Sequence, residues 1–256
     1  MKIDPEYLFT VMLVFVRIGG LMITAPVFSH VAVPIRVKIF LSVLLAYILV
    51  GFVRGPLPPN LDSPLAFTIA IGIEALTGAM LGFAAQFVFW SIQYAGEIIG
   101  YQMALGLANV YNPIDGTHSN PVGRFLTTSM LLVFILVDGH HHILRALVYS
   151  FEVVPLAGAN LAAGGPLMLQ WTGAFFVTGM KLAAPFMITI FLVDASLGVF
   201  ARVAPQADLF SVALPLKLLA GLTMLVFFVG NFFPLVPGMV ERMFTDMISL
   251  LDALAI

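Results

Sequence analysis

Three runs of this chain, residues 18–35, 75–96 and 218–240, contain no Asp, Glu, Lys or Arg. Each is about the 20 residues that a helix needs to cross a bilayer core about 30 Å thick. Water is absent at that depth, so backbone N–H and C=O groups must be satisfied within the fold itself. Composition supports the same reading. The chain is 61% hydrophobic and only 9% charged, with a mean hydropathy of +1.08, far from the soluble range. The expected class is an all-α membrane protein. Shorter charge-free runs at 39–53, 125–137 and 182–193 read as half-crossings or as helices buried against other protein.

Several function classes drop out. A net charge of -2 and the lack of any basic run leave nothing to track a phosphate backbone, so no nucleic-acid partner is expected. Zero cysteines exclude disulfides, thiolate metal sites and a cysteine nucleophile. There is no GxSxG, P-loop or GxGxxG, and no pattern of a membrane protease, so neither an enzyme nor a cofactor is expected. The start, MKIDPEYLFT, sets Asp4 and Glu6 before the first apolar run without a small-residue cleavage site, so the first helix is expected to be retained.

Strong breakers divide the chain. Gly55-Pro56-Leu57-Pro58-Pro59-Asn60 ends the second apolar segment, and Ser63-Pro64 opens the next as an N-cap and first-turn pair. A long helix or helix pair is expected from Leu65 to Leu107, a segment from Val122 to Val137 broken at Asp138-Gly139, and another from His140 to Phe151. Pro155 to Pro166 reads as irregular, and segments at 170–203 and 209–233 follow. The tail, 238–256, carries Met239, Val240, Met243, Phe244, Met247, Ile248, Leu250 and Leu251 at three- and four-residue intervals, the signature of an amphipathic helix. It could lie at an interface, dock on a partner or pack on its own chain.

The stretch from Gly96 to Phe125, GEIIGYQMALGLANVYNPIDGTHSNPVGRF, stands apart. It passes from two helix-packing glycines into a polar loop rich in Gly, Pro and Asn. At membrane depth such backbone is tolerated only where protein covers it or where it lines a cavity, so the function is placed here. Gly78 and Gly82, and again Gly96 and Gly100, are small residues four apart that let helix backbones approach closely. Arg17, Glu74, Glu97, Lys181, Asp194 and Arg202 are embedded charges. Each costs roughly 3 kcal/mol or more if left unpaired at the bilayer centre, so pairing between helices is preferred over a proton or ion relay. His140, His141 and His142 suggest a metal, but consecutive helical residues point about 100° apart, and no further ligand cluster is evident, so no metal is expected. A transporter, a channel and a structural subunit remain open on these grounds.

The order of the motifs narrows the choice. Arg17-Ile18, Ala25-Pro26-Val27-Phe28, Val33-Pro34 and Arg36 come first, then Glu74 with Gly78 and Gly82. Ala95-Gly96, Gly100, Gln102-Met103 and Leu105 lead into Pro113, Gly116-Thr117 and Phe125. Gly139-His140-His141, Ser150-Phe151, Pro155-Leu156, Ala184-Pro185, Leu197-Gly198, Arg202-x-x-Pro205-Gln206, Phe210, Pro215 and Gly221 complete the series. Over its whole length the chain resembles the FliR family, the R-type export-gate subunits of type III secretion, in the flagellar form. Ala104 stands where the family usually has glycine, Asn112 where aspartate is usual and Asp194 where asparagine is common, and Asp208 and Ala213 replace a frequent Asn and Gly.

The resemblance implies a single domain over 1–256, built of tilted helical hairpins with broken helices. It implies assembly with P- and Q-type subunits around a channel in the bacterial inner membrane, within the flagellar basal body. It also implies contact with a switch-type (FlhB-like) and a large (FlhA-like) gate subunit, with unfolded secreted flagellar proteins and with membrane lipid. The loop, 106–121, is expected to plug the resting pore, with Gln102, Met103, Leu105, Gly106, Asn109, Asn112, Pro113, Gly116 and Asn120 as its residues. Arg17, Glu74, Glu97, Asp194, Arg202 and Gln206 are expected in polar contacts between helices or subunits. The competing class is a secondary transporter or ion channel with a broken-helix midplane site, which would claim the interruptions at 155–166 and 204–215.

Overall fold

Proline sets several helix starts, because its fixed φ and missing N–H suit a first helical turn. Pro5, Pro64 and Pro121 each open a helix in the computed structural model, which describes residues 5–30, 32–53, 63–105, 120–206 and 208–255. The helices are α1 (Pro5–Thr24), α2 (Ile35–Leu49, ending in a 3-10 turn at Val50–Phe52), α3 (Pro64–Gln102), α4 (Pro121–Leu136), α5 (Gly139–Val153), α6 (Leu161–Val203), α7 (Leu209–Phe232) and, after a 3-10 turn at Phe233–Leu235, α8 (Val236–Leu254). No strand occurs among the described residues.

Among the described residues, four segments are long and apolar enough to cross a membrane: Glu6–Thr24, Pro64–Gln102, Leu161–Val203 and Ser211–Leu254. Helices α4 and α5, bent by 69° at their junction, qualify together as a broken fifth span. At about 1.5 Å per residue, the 39 residues of α3 and the 43 of α6 run about 60 and 65 Å, roughly twice a hydrocarbon core. Length therefore does not count crossings here.

The described residues form two compact units, Met1–Val88 with Ile135–Thr172 and Met239–Ile256, and Phe89–Phe134 with Gly173–Gly238. In the first, α1 lies against the N-terminal half of α3 across three glycines. A Cβ on Gly78 would run into the Arg17 carbonyl, and one on Gly82 into Thr24. On Gly20 it would lie 2.5 Å from the Ala75 oxygen. The expected small-residue contact is thus between helices of this chain. Val240, Met243, Met247, Leu250, Leu251 and Leu254 of α8 are all buried, and the Leu254 carbonyl accepts the Asn160 N–H at 2.9 Å. The amphipathic tail packs on its own protein.

In the second unit the end of α3, α4, the later part of α6 and α7 interlock through aromatic rings. Tyr94 meets Phe176 with ring centroids 5.2 Å apart, Phe89 meets Phe134 at 5.3 Å, and Phe186 meets Phe228 at 5.3 Å. Such edge-on pairs add about 1 kcal/mol each to their area burial. Gly179 lets α6 touch α3, since a Cβ there would sit 2.7 Å from the Ser91 oxygen.

Two expectations change. The run 18–35 is not one span: α1 stops at Thr24, Val27 takes a left-handed φ of 71°, and helix resumes only at Ile35. Pro26 and Pro34 cannot donate to a helical ladder, which overrides the apolar run. Conversely, helix already begins at Leu161 inside the supposedly irregular 155–166. Gly164 answers to packing rather than to a turn, for a Cβ there would strike Met80 and touch Leu254 and Leu250.

Candidate functional site

Helix α3 ends in a motif that the local sequence does not advertise. Ala104 adopts φ 62°; its N–H bonds to the Tyr101 carbonyl at 3.1 Å and the Leu105 N–H to that of Gly100 at 3.0 Å. These are the two backward bonds of a Schellman stop, whose left-handed residue is normally glycine. Alanine there carries a conformational cost of about 1 kcal/mol. Met103, beside it, is buried and seated where Gly221 of α7 lacks a side chain.

The chain returns at Asn120, which is only 2% exposed. Its Oδ1 accepts the Val122 N–H at 3.0 Å, capping α4, with Pro121 as the first helical residue. Its Nδ2 donates to the carbonyls of Gly96 and Glu97, each at 3.3 Å. That approach exists because Gly100 has no Cβ, which would land on the Asn120 amide, and because Gly96 and Gly123 meet backbone to backbone. Entry and exit of the loop are therefore pinned within the second unit, one on α7 and one on α3. Residues 106–119, including Gly106, Asn109, Asn112, Pro113 and Gly116, lie outside the described residues.

Gln102, the last residue of α3, lines a cavity of about 340 Å³ with Met187, Ile188, Phe191 and Asp194. Asp194 pairs with Lys217 of α7 at 2.7 Å, the two side chains being 44% and 23% exposed. The sequence reading left out Lys217, although its place within the apolar 209–233 segment was the signal that would have found it. Gln102 and Asp194, assigned above to different roles, share one cavity.

In the first unit Arg17 and Glu74 form a sealed pair at 2.5 Å between Nε and Oε2. Arg17 also donates to the carbonyls of Ser150 at 2.8 Å, Val154 at 3.2 Å and Pro155 at 3.3 Å, the open C-terminal end of α5. Glu74 accepts the Ala157 N–H at 2.6 Å. This is an interhelix contact within the chain. Glu97, Lys181 and Arg202 join no ion pair among the described residues. Gln206 is exposed in the turn before α7.

The three histidines do not all converge, but a further possible ligand that the sequence reading did not find stands beside two of them. Asp138 precedes α5 with φ 57°, which swings its carboxylate back to 3.1 Å from His141 Nδ1. Donor atoms of Asp138, His140 and His141 lie within 4.8 Å of one another. The 100° argument holds for residues inside a helix, and Asp138 stands outside it. His142 turns away to Phe244, 5.1 Å between rings.

Comparison with known proteins decides the family. Residues 8–243 match the family described as bacterial export proteins, family 1. The chain belongs to the FliR family of bacterial export proteins. It is 34% identical to the flagellar biosynthetic protein FliR of Pectobacterium carotovorum subsp. carotovorum over 93% of this chain and 89% of that one. Identity to the FliR of Bacillus subtilis (strain 168) is 33%, over 84% of each. With the FliR of Escherichia coli (strain K12) it is 31%, over 92% of this chain and 88% of that one. With its long apolar helices, this FliR-family chain is a multi-pass all-α membrane protein of flagellar protein export.

Proposed function

We propose that the chain is the R-type core subunit of the flagellar export gate, a non-enzymatic component of the inner membrane. With P- and Q-type subunits it forms the channel through which unfolded flagellar proteins leave the cell, and residues 106–121 close that channel at rest. The observation that supports this best is the double anchoring of the loop: Met103 in the space left by Gly221, and Asn120 in the space left by Gly100. The helix ends that flank the segment are thus each held by a packed contact of their own.

Contacts with the FlhB-like and FlhA-like subunits belong to the same reading. So does partner cover for apolar faces that this chain leaves open, such as Phe40, Val43 and Tyr47 on α2. Of the interruptions that the transporter reading claims, the later part of 204–215 is helical, since α7 begins at Leu209 and carries Pro215 inside it. Expression with and without P and Q subunits tests the proposal. The chain should be recovered in detergent only as part of a mixed complex, and a stable homo-oligomer that transports a small solute alone would contradict it.

A further inference from the structure

The turn before α5 gathers three metal-ligating side chains that the export reading does not use. Asp138 stands at φ 57° just ahead of Gly139, the first residue of α5, and its Oδ1 lies 3.1 Å from His141 Nδ1. The His140 and His141 rings lie against each other with centroids 4.1 Å apart, although their Cα–Cβ bonds leave the helix about 100° apart. One donor atom from each of Asp138, His140 and His141 falls within 4.8 Å of the others. Donors that share one zinc ion at about 2.0–2.2 Å sit roughly 3.4 Å apart. The Asp138 and His141 side chains are 70% and 55% exposed, so small rotations in open space bring the set onto one ion.

A second observation is independent of that spacing. His140 Nδ1 is buried and has no hydrogen-bond partner among the described residues. Buried polar atoms are nearly always satisfied, and an orphan of this kind marks a place where an ion or a water completes the site. His142 Nδ1 shares the feature, but its ring lies against Phe244.

We propose that Asp138, His140 and His141 form a binding site for a divalent transition-metal ion of the zinc class. Two imidazoles and one carboxylate suit such an ion, whereas magnesium and calcium favour oxygen donors throughout. Three protein donors leave a fourth position for water. The start of α5 carries about half a positive charge, and Arg145, with Glu152, lines a cavity of about 530 Å³ beside His141. The Asp138 carboxylate touches the ion, while Arg145 stands a helical turn further on, where distance and solvent screening weaken its repulsion. Bound there, the ion ties the turn at Asp138 to the first turn of α5. Arg17 holds the other end of the same helix through its carbonyls.

The test uses the full chain in opened membrane fragments, so it does not depend on the channel reading. Diethylpyrocarbonate labels free imidazole nitrogens, and peptide mass spectrometry reads each histidine separately. Micromolar zinc should slow labelling of His140 and His141 about tenfold or more, the scale on which contacts at metal sites act. His30 should react as before, and millimolar magnesium should protect none of the three. Asp138→Asn should raise the zinc needed for half protection about 10–100-fold, and His141→Ala should remove the protection of His140.

Protection that extends to His30, or that is equal in wild type and Asp138→Asn, is adventitious binding only and overturns the proposal. So does a His141 that zinc leaves unprotected, or one that the reagent never reaches. If the variants fail to accumulate, cobalt added to the purified wild-type protein with the subunits it carries decides. One equivalent should give the visible absorption of a four-coordinate site, displaced by zinc and lost once His140 and His141 are labelled. A spectrum of six-coordinate aqueous cobalt would overturn the site.

Discussion

Arg17 and Glu74 meet at 2.5 Å with neither side chain reached by solvent. Arg17 closes the carbonyl end of α5 while Glu74 holds the Ala157 N–H of the following turn, and the Phe151 ring lies 4.7 Å from the guanidinium. One pair thus joins α1, α3 and α5. Breaking a buried pair from one side leaves an uncompensated charge, at a cost of roughly 3–5 kcal/mol, whereas replacing both partners by apolar residues is often far milder. Glu74→Gln and Arg17→Met should each strongly reduce the protein recovered from membranes, and Arg17→Met with Glu74→Leu should restore part of it. Recovery of the double variant below both singles would refute a self-contained pair.

The pair of Asp194 and Lys217 lies on helices whose neighbours are apolar, among them the exposed Ile188, Phe191 and Leu219. Lys217→Met alone should lower thermal stability in detergent, and Lys217→Met with Asp194→Leu should recover much of the loss. The scale is at most about 3 kcal/mol, the cost of an unpaired charge at the bilayer centre, since both side chains are partly exposed. Equal damage from the single and double variants would show that the two residues act independently.

Glycines separate into those that a neighbour requires and those that none does. Gly78→Ala should destabilise by about 1–3 kcal/mol, because the new methyl meets the Arg17 backbone. Gly72→Ala and Gly173→Ala lie in helices with nothing within 4 Å and should stabilise by about 0.5–1 kcal/mol. Thermal melting of the three purified variants in one detergent checks the order.

Ala104, at φ 62°, predicts the opposite sign for a glycine. Ala104→Gly relieves a left-handed alanine and should stabilise the end of α3 by about 1 kcal/mol. A lower melting temperature for that variant would mean that the residue is not left-handed in the protein.

Helix content, the glycine contacts and the buried face of α8 were legible because each follows from short-range periodicity or side-chain size. The breaks were less so. The apolar run 18–35 hid the turn around Val27, since hydropathy ignores the two prolines. The glycines before Pro166 suggested a loop, although Gly164 answers to Met80 and α8, contacts remote in sequence. At the site, the signs of Asn120-Pro121 as cap and first turn were present in the chain, but its tie to Gly96 and Glu97 depends on a helix crossing that spacing alone does not reveal. The identity of Arg17's partner could be guessed from charge, yet its use of the α5 carbonyls could not, because backbone acceptors leave no mark in composition.

The central claim is that the Gly/Asn-bearing segment between Met103 and Asn120 keeps the channel shut. The most direct measurement removes residues 106–119, joins the anchored ends with a short glycine linker, and follows small-solute efflux from vesicles holding the assembled complex. Complexes lacking the segment should assemble at wild-type yield and leak severalfold faster, while a variant pore as tight as wild type would contradict the account.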